Sequence, residues 1–133
     1  MTEASRNSLE QQEAIYALGK VKAIQKKNIS GEYFRQVKRL PAMVLTNGLG
    51  HSLAFLLASA EEKSREKSGH QALFEDIADW LRKLEVYPNK GEVLDHMMKG
   101  SMSTYIEAQN YVMRILTWFV RFANAYLDSE EES

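Results

Sequence analysis

The sequence contains no cysteine. That excludes disulfides, thiolate metal sites and cysteine nucleophiles, and it fits a reducing compartment. Proline occurs only at Pro41 and Pro88, so few positions are barred from a helix. No apolar run approaches the ~20 residues that a membrane span needs. The opening "MTEASRNSLEQQEA" is polar and acidic and lacks the apolar centre of a signal peptide. The expectation is a cytoplasmic protein with no membrane partner. Strand signals are weak throughout, whereas helical periodicity is strong and its breakers are well separated.

The 133 residues, 44% apolar and 26% charged, predict one globular domain spanning 1–133, with 1–5 and 128–133 as flexible tails. The pattern predicts an all-α bundle of five to six helices with a long C-terminal one. Helices are expected at about 6–28, ended by "NISG", and at 32–47 with a kink or break at Pro41. Others are expected at 49–63, 71–86 after a loop near Gly69, 92–99, and 103–127 with N-caps from "SMST".

The segment "NGLGHS" at 47–52 poses the main question of chemistry. A dinucleotide fingerprint needs a third glycine and a preceding strand, and a phosphate loop needs Lys-Ser or Lys-Thr after its last glycine. Neither is present. Gly48 suits the left-handed position past a helix end, Gly50 suits close helix approach, and His51 then caps or faces solvent. His51, His70 (in the expected loop) and His96 share no metal-ligand spacing. Asp76 and Asp79 fit a solvated helix face. Nothing assembles a nucleophile, base and oxyanion site, so the reading is no catalytic residue, no metal, no cofactor and no small-molecule substrate.

The formal net charge is −1, but it is unevenly spread. Between Gly19 and Arg39 stand Lys20, Lys22, Lys26, Lys27, Arg35, Lys38 and Arg39 against the single Glu32, while "DSEEES" closes the chain. On a helical wheel Ala14, Ala17, Leu18, Val21 and Ile24 share one face and the four lysines fall in the opposite half. A solvated charged face is the bland reading. The density of cations favours an anionic partner met through its phosphates. In the last helix Met102, Tyr105, Ile106, Val112, Met113, Leu116, Val120, Ala123 and Leu127 form one apolar stripe. Tyr111, Ile115, Trp118 and Phe122 form a second, with Arg114 and Arg121 in the polar remainder. A helix so apolar is either the centre of the bundle or is shared with another protein.

These residues also carry a likeness. "LPAMVLTNGLGHSLAFLL" and "YIEAQNYVMRILTWFVRFANAYL", with "YALGKVKAI" and "ALFEDIADWL" in order before and between them, resemble the small subunit of the type III-B CRISPR effector, the Cmr complex. The resemblance implies a non-catalytic, all-helical structural subunit. Its implied partners are other Cmr complex subunits, neighbouring copies of itself in a minor filament, and guide RNA with its paired target RNA. On that basis Lys20, Lys22, Lys26, Lys27, Arg35, Lys38, Arg39, Arg114 and Arg121 are the expected RNA contacts, and Tyr111, Trp118 and Phe122 the expected subunit interface. The alternatives are a helical adaptor that binds only protein and an enzyme built on the histidines.

Overall fold

The computed structural model describes residues 8–61 and 67–127. The expected tails at 1–5 and 128–133, and residues 64–66 of the expected loop near Gly69, lie outside them. The described residues form six helices and no strand: α1 (Leu9–Ile24), α2 (Ser30–Asn47), α3 (Leu49–Glu61), α4 (Gly69–Lys83), α5 (Val93–Lys99) and α6 (Met102–Tyr126). The all-α bundle with a long last helix is therefore observed. At 1.5 Å per residue α6 is about 37 Å long. It packs chiefly against α1 and α2, and more lightly against α4, while α3 joins α4 and α5.

Caps decide where the helices begin and end, and they shift several expected bounds. α1 starts at Leu9 because Ser8 forms a capping box with Gln11: the Ser8 Oγ accepts from the Gln11 N–H at 3.1 Å and the Ser8 N–H donates to Gln11 Oε1 at 3.0 Å. It ends at Ile24 in tight i→i+3 turns, Lys27 N–H to Ile24 C=O and Ser30 N–H to Lys27 C=O, so Lys26 and Lys27 lie on the corner rather than on the helix. α2 runs unbroken through Pro41. α4 begins at Gly69, not 71, because Ser68 Oγ accepts from the Gln71 N–H at 3.1 Å. It ends in a Schellman arrangement, with Glu85 N–H to Arg82 C=O and Val86 N–H to Leu81 C=O. Glu85 takes the left-handed position at φ 61° that glycine usually fills.

The core is continuous. Ala17, Val21 and Ile24 of α1 meet Tyr33, Val37, Leu40 and Val44 of α2, Leu73, Ile77 and Trp80 of α4, and Val112, Ile115, Leu116, Phe119 and Ala123 of α6. Two expectations for α6 change. Ile115 belongs to the core together with Phe119, which neither stripe included. Met102 and Ile106 are 72% and 53% exposed, because they lie at the edge of the stripe while Tyr105 and Ala108 of the same turns face α3 and the core.

Candidate functional site

The "NGLG" segment is a corner between helices. Gly48 is the one residue between α2 and α3, with φ 91° and ψ 160°. The φ is positive as expected, but the ψ is extended rather than left-handed helical, a region open essentially to glycine alone. Its carbonyl accepts from the Ser52 N–H at 3.2 Å and the Ser52 hydroxyl at 2.8 Å. The first N–H groups of α3, which a phosphate loop would aim at a ligand, are spent on α6: Leu49 N–H donates to Gln109 Oε1 at 3.0 Å and Gly50 N–H to Tyr105 Oη at 2.9 Å. A side chain at Gly50 would meet Met98 Cε at 3.0 Å, which is the close approach expected there.

The histidines are dispersed. His51 is exposed. His70 is buried in the first turn of α4, not in a loop, with Nδ1 at 3.0 Å from Glu32 Oε2. His96 Nε2 lies 2.5 Å from the Lys90 carbonyl. Among the described residues no group of three or more His, Asp or Glu side chains could hold a metal ion, and no helix is long and apolar enough to cross a membrane. Asp76 is not on a solvated face. Its side chain is 15% exposed, its Oδ2 accepts from the Tyr33 hydroxyl at 2.6 Å, and its backbone carbonyl accepts from the Tyr16 hydroxyl at 2.6 Å. Burial pushes its carboxyl up to about 6, against the opposing pull of the Tyr33 bond and Lys20. Burial beside Asp76 in turn drives both tyrosine hydroxyls upward.

The basic residues divide between two flanks of α1. Lys20 turns toward α4: its Nζ stands 4.0 Å from Asp76 Oδ1 and 5.3 Å from the centre of the Tyr16 ring. Lys22 turns toward the end of α6, 5.2 Å from the Tyr126 ring centre. Gln25 donates to the Tyr126 carbonyl at 3.2 Å, and Lys38 of α2 donates to Asn124 Oδ1 at 3.4 Å. The last turn of α6 has no cation of its own, so Lys22 and Lys38 supply positive charge to the negative end of its dipole. Lys26 and Lys27 are exposed on the corner after α1, Arg39 is exposed on α2 and Arg35 is half-buried. Among the described residues none of Lys22, Lys26, Lys27, Lys38 and Arg39 is ion-paired. Lys38 also lies over Phe34 and Arg39 over Phe55. Each of these rings already carries a cation on one face, which suits phosphate contact better than base stacking.

Arg114 and Arg121 are brought to the same face as Trp118 and Phe122. The controlling residue was invisible to periodicity. Glu13 on α1, 1% exposed, accepts from Arg114 Nε at 2.6 Å, Arg114 Nη2 at 3.2 Å and Trp118 Nε1 at 3.3 Å. Trp118 stacks on Phe122 with ring centres 5.6 Å apart. Glu10, Glu13, Arg114, Thr117, Trp118 and Arg121 line a crevice there, in which two carboxylates balance two guanidiniums. Tyr111, Trp118 and Phe122 are all half-buried against the core. The more exposed apolar surface is elsewhere. Met98 at 64% and Met102 at 72% line a crevice of about 280 Å³ with Met97, Gly100, Ser101 and Tyr105, and Ile106 continues it one turn along α6.

Against known proteins, the family model described as "CRISPR-associated protein (Cas_Cmr5)" matches residues 9–126. A curated relative from Thermus thermophilus, "CRISPR system Cmr subunit Cmr5", is 30% identical over 112 residues, which cover 84% of this chain and 90% of that protein. The crystal structure of a CRISPR-associated Cmr5 family protein from the same organism matches with a TM-score of 0.74 at 27% identity, over 92% of this chain and all of that one.

Proposed function

This chain belongs to the Cmr5 family of CRISPR-associated proteins, subunits of the Cmr complex, and from that premise we propose that it is a non-catalytic structural subunit that steadies guide and target RNA in the cytoplasm. It does so by binding phosphates, without reading sequence. The supporting observation is that Lys22, Lys26, Lys27, Lys38 and Arg39, on α1, the corner after it and α2, are exposed with no ion-pairing carboxylate among the described residues, Lys22 and Lys38 standing at the last turn of α6. Lysine presents a compact charge on a flexible stem, which matches a phosphate track rather than a base edge. The proposed filament with neighbouring copies, and the contacts to other Cmr subunits, draw on apolar surface such as Met98, Met102 and Ile106 and on the Tyr111, Trp118 and Phe122 side of α6. That same surface favours the second reading, an adaptor that binds protein alone.

The experiment is target-RNA affinity of reconstituted complexes carrying Lys22→Glu with Lys26→Glu, measured across a salt series. Affinity should fall for every target sequence alike. The logarithmic salt dependence should flatten by about 0.7 to 0.9 for each phosphate that is no longer neutralised. An unchanged affinity and slope in a fully assembled complex would leave the adaptor reading.

A further inference from the structure

Lys20 faces a different neighbourhood from Lys22, the other lysine of α1. It lines a crevice of about 260 Å³ with Tyr16 and with Asp79, Arg82, Lys83 and Asn89 from the end of α4 and the turn beyond it. Three cations and an amide donor meet there. Two carboxylates face them. Asp79 is paired through Oδ1 with Arg82 Nη1 at 2.9 Å. Asp76 is largely buried behind Lys20 and held by the Tyr33 hydroxyl. Arg82 is fixed on its other side by the Gly91 carbonyl, at 3.2 Å from Nη2. Lys83 makes no hydrogen bond or ion pair among the described residues.

Lysines at a helix end often serve the dipole alone. Here three carbonyls of the last turn of α4 are already satisfied: Trp80 accepts from Leu84, Leu81 from Val86 and Arg82 from Glu85. The ammonium of Lys83 is therefore not needed to satisfy them. Between this crevice and the Lys22 side, the outer surface of α1 carries Gly19 and Ala23, both exposed, and nothing stands within 4 Å of the position a side chain would take at Gly19. The ridge of α1 is low where the two basic flanks come closest.

We infer that the crevice of Lys20, Arg82, Lys83 and Asn89 is a second phosphate site, and that an RNA strand crosses α1 over Gly19 and Ala23 instead of running along it. This inference rests on the RNA-binding reading above and adds residues of α4 that the sequence pattern did not single out. It makes the subunit a saddle with cations on both sides, so that a strand is held against sideways movement. Neither flank inspects a base edge, in keeping with sequence-independent binding.

The test uses assembled Cmr complexes carrying Lys83→Gln or Lys22→Gln singly, with complex integrity measured by size-exclusion chromatography and target-RNA affinity measured across salt. Each substitution should lower affinity for unrelated target sequences equally and flatten the salt slope by about 0.7 for a single strand or 0.9 for a duplex. If Lys22→Gln does this and Lys83→Gln leaves both quantities unchanged, no strand enters the crevice and the inference is overturned while the RNA reading stands. If neither substitution changes them, both fall. Loss of assembly by Lys83→Gln, with normal RNA affinity in the complexes that do form, would assign the crevice to a carboxylate of a neighbouring subunit and overturn the inference as well.

Discussion

Arg114 and Glu13 stand 101 residues apart in the chain and form a two-pronged ion pair between the last helix and the first, Nε to Oε2 at 2.6 Å and Nη2 to Oε1 at 3.2 Å. The pair is lopsided. The Arg114 side chain is 51% exposed and that of Glu13 is 2% exposed. The carboxylate therefore bears the desolvation, and the arginine and the Trp118 indole N–H are what make its burial tolerable.

That asymmetry orders two substitutions. Arg114→Ala leaves a buried carboxylate with only the indole as donor, whereas Glu13→Gln removes the charge and keeps an acceptor. Arg114→Ala should be the more destabilising, by roughly 1–3 kcal/mol, the cost of a buried group left unsatisfied. Urea denaturation of the two variants checks the order. Equal stability loss would mean that Glu13 is rehydrated when Arg114 is cut away.

Gly48 sets the corner from which α3 meets α6. Any side chain there must hold φ near 91° and would bring its Cβ to 3.1 Å from Tyr105 Oη, the oxygen that accepts from Gly50. Gly48→Val should cost about 1–3 kcal/mol through the strained backbone alone. Thermal unfolding of the isolated subunit measures it. A variant that melts as wild type yet fails to assemble would make the corner a docking surface instead.

The number and order of the helices were legible because apolar spacing and most of the Gly and Asn breaks agree, although Pro41 stands inside an unbroken α2. Their ends were less so. Ser8 and Ser68 win over periodicity by satisfying N–H groups, and the lysines at 26 and 27 fall off α1 because tight turns close it at Ile24. Glu13 was unreadable, since its burial depends on a partner 101 positions away. Asp76 reads as a solvated residue in sequence because the Tyr33 hydroxyl that receives it is likewise distant, by 43 positions. Met102 and Ile106 were read into the apolar stripe but sit at its edge, while Tyr105 in the same turn meets α3. A period reports which side of a helix is apolar, and only the lengths and placement of its neighbours decide how much of that side is covered.

Asp76 makes stability depend on pH with a definite sign. Its carboxyl titrates at about 6 in the fold against an ordinary 3.8, so the folded state holds the proton more tightly than the unfolded chain. The contribution is fully present below the ordinary value and is lost as pH rises through about 6. Asp76→Asn keeps an acceptor for Tyr33 and removes the charge. It should be the more stable protein at about pH 7, by up to ~3 kcal/mol, and the advantage should vanish once the wild-type carboxyl is protonated. Denaturation curves of both proteins on either side of that titration decide it. A less stable Asn variant at neutral pH would show that Lys20 and Tyr33 outweigh the cost of burial.

Two apolar surfaces compete as the place where this subunit meets its neighbours, and exposure separates them. Phe122 is half-buried and stacked on Trp118, so Phe122→Ala removes packing in the free subunit and should lower its melting temperature before any partner is added. Met102 and Ile106, at 72% and 53% exposure, touch little in the free subunit. Replacing both by Ser should leave its stability within about 0.5 kcal/mol of wild type. If the methionine crevice is covered in the complex, the same double substitution should weaken assembly by roughly 1–2 kcal/mol, a fivefold to thirtyfold loss. Methionine suits such a surface because its flexible thioether adapts to an irregular partner. Competitive reconstitution of variant against wild-type subunit, read by native mass spectrometry, measures the ratio directly. Equal incorporation of the Met102, Ile106 variant would leave that end of α6 facing water and shift the interface to the Trp118 side.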